Sequence, residues 1–409
     1  MLVLAARNLF RNTRRTVITL LGIAFGLMMV EVAITLQAGQ YAELVEKGVS
    51  SLAGHVVVQA DGWQDGKDEL KVLTGASAVT DELRAAFPGA TVTPRLLVGG
   101  LLTSPRGSVG VGLSGIDAVA EATVQEIDGQ VKQGTWLDGD GRGIVIGEKL
   151  AESLQVKLGE KVVYLGQHGT ATEVQSRLFR VKGIFRTGAA EFDGFLAFAD
   201  LPAVQEVYGT PDVAHQVALH LGDPEQTDAA LATISASLAG RPEVDVLPWP
   251  LAIPDVVGMI AVDRKSNNVI MFVIGSIVTM GALNTVLMSA MERTREFGVM
   301  MALGLRPRQL ARLILTEGVL LGLLGAAMGL ALGLGLSYPL VEYGLDYRDT
   351  LGESYESGGI VASGLLKGRY NLPRGVGYAG IAVVMTTLSA LYPAWFVSRL
   401  QPVAAMRHT

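Results

Sequence analysis

Residues 17–38 read VITLLGIAFGLMMVEVAITLQA, twenty-two residues with a single charge, Glu31. A bilayer core of about 30 Å takes about 20 residues of helix to cross. Three more stretches match it in length and carry no charge at all: Ser266–Met291, Gly318–Val341 and Gly375–Ser398. Buried helices of soluble proteins rarely stay uncharged for so long. Backbone groups in lipid have to be satisfied within their own segment, so all four are read as transmembrane helices. The composition agrees: 18% of residues are charged and the mean hydropathy is +0.38, against about 25% charged in soluble proteins. A disordered or nucleic-acid-binding chain is thereby excluded. The absence of cysteine rules out disulfides, thiolate nucleophiles, Cys-based zinc or iron–sulfur sites and a lipobox.

The first span has the basic flank of a signal peptide, Arg7 to Arg15. Its apolar run, however, exceeds the usual 7–15 residues, and its exit, Thr35-Leu36-Gln37-Ala38, offers no clean cleavage site. It is expected to be retained. Between the first and second spans lie Gly39–Lys265, of ordinary soluble composition. Strand-like runs (His55–Gln59, Gly143–Ile146, Lys161–Leu165) alternate there with helix-like ones (Asp81–Phe87, Pro224–Leu238), and turn residues such as Pro88-Gly89 and Pro248-Trp249-Pro250 punctuate them. The reading is an α+β domain of two lobes, returning to the membrane through Pro248–Pro254.

The expected organisation is therefore an α-helical membrane protein with four transmembrane helices and a large α+β extracytoplasmic domain inserted between the first two. Its segments are a tail and first span (1–38), the domain (39–265), the second span (266–291), a loop (292–312), the third span (313–341), a short insert (342–374), the fourth span (375–398) and a tail (399–409). Orientation follows from the bias of Lys and Arg toward the cytoplasm. Arg7, Arg11, Arg14, Arg15, Arg293, Arg295, Arg306, Arg308, Arg312, Arg399 and Arg407 share one side with two acids, Glu292 and Glu296. The large domain carries 18 basic and 30 acidic residues. Both termini are expected in the cytoplasm and the domain outside it.

The loop is the most informative short segment. Glu292-Arg293-Thr294-Arg295-Glu296-Phe297-Gly298 alternates acids and bases, Val299–Leu303 is apolar, and Ala302-Leu303-Gly304 breaks the run before Arg306-Pro307-Arg308-Gln309. A short amphipathic helix with its charged side offered to a partner protein fits this pattern; solvated helix ends are the plainer alternative. The pattern E-R-x-x-E-x-G…A-L-G resembles the FtsX-like permease core of MacB-type (type VII) ABC transporters. Ala6-Arg7-Asn8-Leu9 with Arg11-Asn12, Leu21–Gly26, Tyr392-Pro393-Ala394-Trp395, Leu400-Gln401-Pro402-Val403 and Met406-Arg407 are similar to other parts of that family, so the resemblance spans the chain. In the large domain, Gly183–Gly188 followed by Glu191-Phe192-Asp193, Thr93-Pro94-Arg95, Gly115-Ile116-Asp117, and Gly147–Ala151 ahead of Gly159 resemble lipoprotein-releasing LolC/LolE-type permeases. Physically, such glycines and acids also read as turns.

The resemblance implies a non-catalytic permease subunit driven by an ATPase, with Glu292, Arg293, Arg295, Glu296, Gly298, Ala302, Leu303 and Gly304 coupling the two. No G-x-x-x-x-G-K-[ST] phosphate loop occurs, so ATP and magnesium are expected on a separate ATPase, present in two copies, and no cofactor on this chain. The other expected partners are a second protomer (identical or paralogous), membrane lipid, and a periplasmic lipoprotein carrier or adaptor; nucleic acid is not among them. Lipoprotein release is the leading function implied. MacB-like efflux of peptides or small molecules, and FtsX-like signalling to a cell-wall hydrolase, are the alternatives, although FtsX-type permeases usually have a smaller first insert.

Gly22, Gly26, Gly318, Gly322, Gly325, Gly329 and Gly333 bring small residues to helix faces, as close helix packing requires. They suit a dimer seam or packing within one chain equally. Glu31, a carboxylate deep in a span, is read either as lining a cavity that meets cargo or as lifted toward the headgroups by a helix continuing outward. Glu317 is expected near Arg312 or Arg293. His215 and His220, five apart, make no helical metal pair.

Overall fold

The structure is a computed structural model that describes residues 2–399 except 12, 65, 67, 126, 168–173, 348–353 and 358–359. The motif positions Asn12, Leu400–Val403, Met406 and Arg407 lie outside the described residues. Two compact units emerge: Met1–Ala42 with Ala261–Leu345 and Leu366–Thr409, and Glu43–Ile260 with Asp346–Leu365.

In chain order, α1 (Leu2–Arg11) and α2 (Thr13–Gly48) are followed by β1 (Val56–Ala60), β2 (Leu73–Thr74), α3 (Ala76–Ala86), β3 (Thr91–Ser104) and β4 (Gly107–Ile116). Next come α4 (Ala118–Gln125), β5 (Val131–Gly134), β6 (Gly143–Gly147), α5 (Glu148–Leu154), β7 (Lys161–Gly166) and β8 (Gln175–Phe185). The second unit continues with α6 (Ala190–Phe195), β9 (Leu196–Asp200), α7 (Leu201–Tyr208), β10 (Val213–Ala214), β11 (Gln216–His220), α8 (Thr227–Ser237), β12 (Val244–Pro248) and α9 (Trp249–Ala252). Then follow α10 (Pro254–Glu292), α11 (Thr294–Ala302), α12 (Pro307–Glu342), α13 (Leu372–Ser389) and α14 (Leu391–Ser398).

Among the described residues, four stretches are long and apolar enough to cross a membrane: Thr13–Ala53, Pro254–Glu292, Pro307–Glu342 and Leu372–Ser398. The first runs well past the apolar 17–38 segment: α2 reaches Gly48 and closes in a π-helical turn, Val49–Ala53. The last is broken at Ala390, because Pro393 has no N–H to give the carbonyl four residues back, at Ser389. In the first unit Ala5 and Leu9 of α1 share a core with Phe297, Leu310, Leu313, Ala394 and Val397. Midway along the helices, Leu27, Val30 and Ile34 of α2 pack with Ala326 of α12.

The second unit is built on a ten-stranded mixed sheet ordered β12-β1-β11-β3-β4-β9-β6-β8-β5, with β7 pairing β3 and β8. The fourteen-residue β3 serves two cores. Val92 packs with Val56, Val58, Leu83, Val217 and Ile234, while Leu96, Val98 and Leu102 pack with Leu113, Ile144, Leu150, Phe179 and Val204. The two lobes expected from the sequence are thus two cores strung on one strand.

Candidate functional site

The loop between α10 and α12 is a helical hairpin. Gly304, at φ +100°, terminates α11: Leu305 N–H donates to Met300 O (3.0 Å) and Gly304 N–H to Met301 O (3.0 Å). This is the C-terminal lock that only a left-handed residue closes, and glycine enters that region without strain. Pro307 opens α12, where its missing N–H costs nothing, and Gln309 Oε1 accepts from Arg306 N–H (2.9 Å).

The charged residues of this segment have partners inside the chain. Arg15 Nη2 donates to Glu292 (2.6 Å to Oε2), and Arg11 pairs with Glu296. Arg293 is 6% exposed, reaches Glu296 and Glu317 at 3.3 Å each and stacks over Phe297 at 5.2 Å. Asn8 Nδ2 adds a 2.7 Å bond to Glu317 Oε1. The Arg11 and Arg15 pairs are solvent-accessible and individually weak, so the enclosed Arg293–Glu317 pair is the firmer tie. Together they tie α1 and the start of α2 to the end of α10, to α11 and to α12. Of the charged side predicted to face a partner, only Arg293 is buried; Glu292 and Arg295 are exposed and Glu296 is half-buried, both acids being paired within the chain. What faces outward is an apolar corner: Val299 is 44% and Leu303 80% exposed, with Ala302 and Gly304 exposed beside them. Gly298 is buried. Of the eight predicted coupling residues, Glu292, Arg295, Ala302, Leu303 and Gly304 are exposed, Glu296 is half-buried, and Arg293 and Gly298 are buried. Charge counting registered Arg11 and Arg15 but did not reveal their pairing.

The spans' glycines pack within the protomer. Built Cβ atoms would fall 2.7 Å from Ile23 at Gly325, 2.7 Å from the Ala24 carbonyl oxygen at Gly329, and 2.6 Å from Glu31 Cβ at Gly333. At Gly318 and Gly322 they would meet Ala390 (2.8 Å) and Val383 (3.1 Å), and at Gly26 Val278 (2.6 Å). Gly22 differs: it is exposed, with nothing within 4 Å. Glu31 is fully enclosed, its carboxylate against the backbone of Gly375, and its two oxygens have no hydrogen-bond partner, as is also true of Thr35 Oγ1 and Ser337 Oγ. Within this protomer Glu31 is thus sealed between helices.

The family-like positions of the second unit hold its fold. Asp193 Oδ1 accepts from Thr187 N–H (3.0 Å) and Oγ1–H (2.7 Å). Asp117 Oδ1 caps α4 at Val119 and Ala120, 3.2 Å each. Gly147 lies against the Asp193 backbone and Gly115 against Val204. Arg95, 5% exposed, forks onto Glu121 (2.6 and 3.1 Å) and also donates to the Ser51 and Ser50 carbonyls (3.0 and 3.1 Å). Gln125 and Gln216 bond the Ser51 and Leu52 carbonyls. The π-turn that ends α2 is thereby gripped by three side chains, a feature sequence reasoning missed because nothing in 49–53 announces a π-turn. His215 Nδ1 accepts from Leu97 N–H (3.1 Å). His220 Nε2 bonds Thr93 Oγ1 (3.0 Å), and burial, with Arg95 and His55 adding to it, pushes its pKa down to about 2. Among the described residues, no group of three or more His, Cys, Asp or Glu is placed to hold a metal ion.

Four apolar helices, a large mixed domain inserted after the first, and a strapped helical hairpin with an exposed apolar corner define the class of a membrane permease. The family model for the MacB-like periplasmic core domain matches residues 16–237, and that for the FtsX-like permease C-terminal region matches 268–402. The chain belongs to this family, the FtsX-like, MacB-type (type VII) ABC-transporter permeases. It is 25% identical to the lipoprotein-releasing system transmembrane protein LolC of Xylella fastidiosa, over 95% of this chain and 93% of that protein. It is 23% identical to LolC of Neisseria meningitidis over 65% of each chain. Against the macrolide export ATP-binding/permease protein MacB of Nitrobacter winogradskyi, identity is 24% over 98% of this chain and 60% of that one. The matched region thus spans just under two thirds of the Neisseria protein.

Proposed function

We propose that this chain is the permease subunit of an ABC transporter in the bacterial inner membrane, working with a separate ATPase to release lipoproteins from that membrane. The exposed corner formed by Val299, Ala302 and Leu303, presented on a hairpin strapped by ion pairs, carries the reading. An apolar knob on a rigid mount transmits force, whereas a flexible one dissipates it. The ATPase seats on this corner from the cytoplasm, and ATP-driven closure moves the hairpin together with α1 and α2. Helix α2 is unbroken to Gly48, and the turn that follows it is held by Arg95. Two protomers, each with its ATPase, act on cargo through the extracytoplasmic domain, which hands it to a periplasmic carrier. This chain binds no cofactor; ATP and magnesium sit on the ATPase. Near full-length similarity to LolC favours lipoprotein cargo. The near full-length match of this chain to MacB supports a second reading, efflux of peptides or small molecules through an adaptor and outer-membrane duct.

Reconstitution with the ATPase in liposomes containing a lipoprotein tests the first reading, which expects ATP-dependent release that Leu303→Asp abolishes. Absence of release, together with adaptor-dependent efflux of small molecules, would move the assignment to the second.

A further inference from the structure

Where α2 begins and α10 ends, the first unit contains a recess of about 640 Å³. Arg11, Arg14 and Arg15 line it from the start of the chain, Asn284 and Thr285 from α10. Its one acidic residue, Glu292, is already paired with Arg15, and Arg11 is paired with Glu296. Arg14 has no acidic partner among the described residues, and Nη1 of Arg15 is enclosed without an acceptor. The lining therefore holds a surplus of guanidinium donors beside an amide and a hydroxyl, the donor set that suits a phosphate.

The recess is also continuous with an apolar surface. Ile18 and Met288 belong to its lining and are 61% and 56% exposed. Beyond Ile18, Leu21 and Phe25 lie on the same face of α2, spaced at three and four residues, and both are more than half exposed. A basic, hydrogen-bonding head that opens onto an exposed apolar stripe at the end of a membrane-crossing helix has the polarity of a phospholipid. We propose that this recess binds the phosphate headgroup of an anionic phospholipid, one acyl chain lying along Ile18, Leu21 and Phe25. Basic recesses between helices at a membrane face attract such headgroups, and the stripe distinguishes a lipid from soluble phosphate.

Native mass spectrometry of the full chain, extracted in mild detergent with equal phosphatidylglycerol and phosphatidylcholine, tests the site. Preferential retention of phosphatidylglycerol is expected, falling about fivefold in Arg14→Gln and kept in Arg14→Lys. Arg295→Gln, which removes an exposed arginine outside the recess, should leave retention unchanged. Equal retention of the two lipids, or no response to Arg14→Gln, would overturn the site. So would an equal loss in Arg295→Gln, which would mark a bulk-charge effect. Displacement of phosphatidylglycerol by inorganic phosphate would show that the acyl chain contributes nothing and would overturn the lipid assignment.

Discussion

At Gly329 a methyl group has nowhere to go: it would meet the Ala24 carbonyl oxygen at 2.7 Å and Leu27 Cβ at 2.9 Å. Two turns on, Gly335 faces open space. Overpacking of a tight contact costs about 1–3 kcal/mol. Gly329→Leu is therefore expected to lower thermal stability in detergent clearly, while Gly335→Leu is expected to leave it unchanged; equal effects would mean that α2 and α12 do not meet there. The four-residue spacing of small residues was legible in the sequence, because spacing defines a helix face. Which neighbour that face meets was not, because a repeat carries no information about its partner. Gly22 and Gly329 look alike in sequence, yet one is exposed and the other sealed. A second residue-scale consequence concerns pH. His220 is held neutral in the fold, its pKa lowered to about 2 from an ordinary 6.5, and His55 is shifted the same way by burial. Below pH 6.5 the unfolded chain takes up a proton at residue 220 that the folded chain refuses. Stability is therefore whole above 6.5 and falls with acid by about 1.4 kcal/mol per pH unit from His220. Protection of the β11 amides against hydrogen exchange, corrected for intrinsic rates, should stay level above pH 6.5 and lose about 1.4 kcal/mol in total between pH 7.5 and 5.5, and His220→Gln should remove that loss.

At the scale of elements, the hairpin between α10 and α12 shows most clearly what pattern reading reaches. The apolar run and the Gly304 break are local signals, and α11 ends just ahead of that break, whereas α12 begins at Pro307, six residues before the start expected for the third span. The destination of Glu292 and Glu296 is not local. Their partners Arg15 and Arg11 are 277 and 285 residues away in sequence, and no single sequence states that pairing. It changes what charge reversal should do. Glu292→Arg sets a like charge against Arg15 and should loosen the start of α2, raising its amide exchange by up to about fivefold for the lost exposed pair. Adding Arg15→Glu restores opposite charges and should restore protection. If the start of α2 stays loose in the double variant, this pair does not hold it. Leu303→Asp, by contrast, should leave that protection untouched, because Leu303 lies on the outward corner.

At the scale of the whole molecule, a net charge of −6 conceals a separation. Eleven arginines and two glutamates lie in the N-terminal tail, the α10–α12 loop and the C-terminal tail, against 18 basic and 30 acidic residues in 39–265. Positive segments resist translocation, which supports the proposed orientation, with the arginine-rich segments in the cytoplasm and the acidic domain across the membrane. Four spans are consistent with this, since an even number returns the C-terminus to the side of the N-terminus. The absence of cysteine makes the arrangement directly testable, because any introduced thiol is the only one in the chain. Gly89 is exposed with nothing within 4 Å, and Arg308 is exposed at the start of α12. In intact spheroplasts a membrane-impermeant maleimide should label Gly89→Cys at once, and Arg308→Cys only after the membrane is opened. The reverse pattern would invert the protein and place the α11 corner where no cytoplasmic ATPase can reach it, defeating the transport reading along with the orientation. Labelling of both sites in intact cells would mean an odd number of crossings between residues 89 and 308 is wrong, and with it the assignment of α10 as a span.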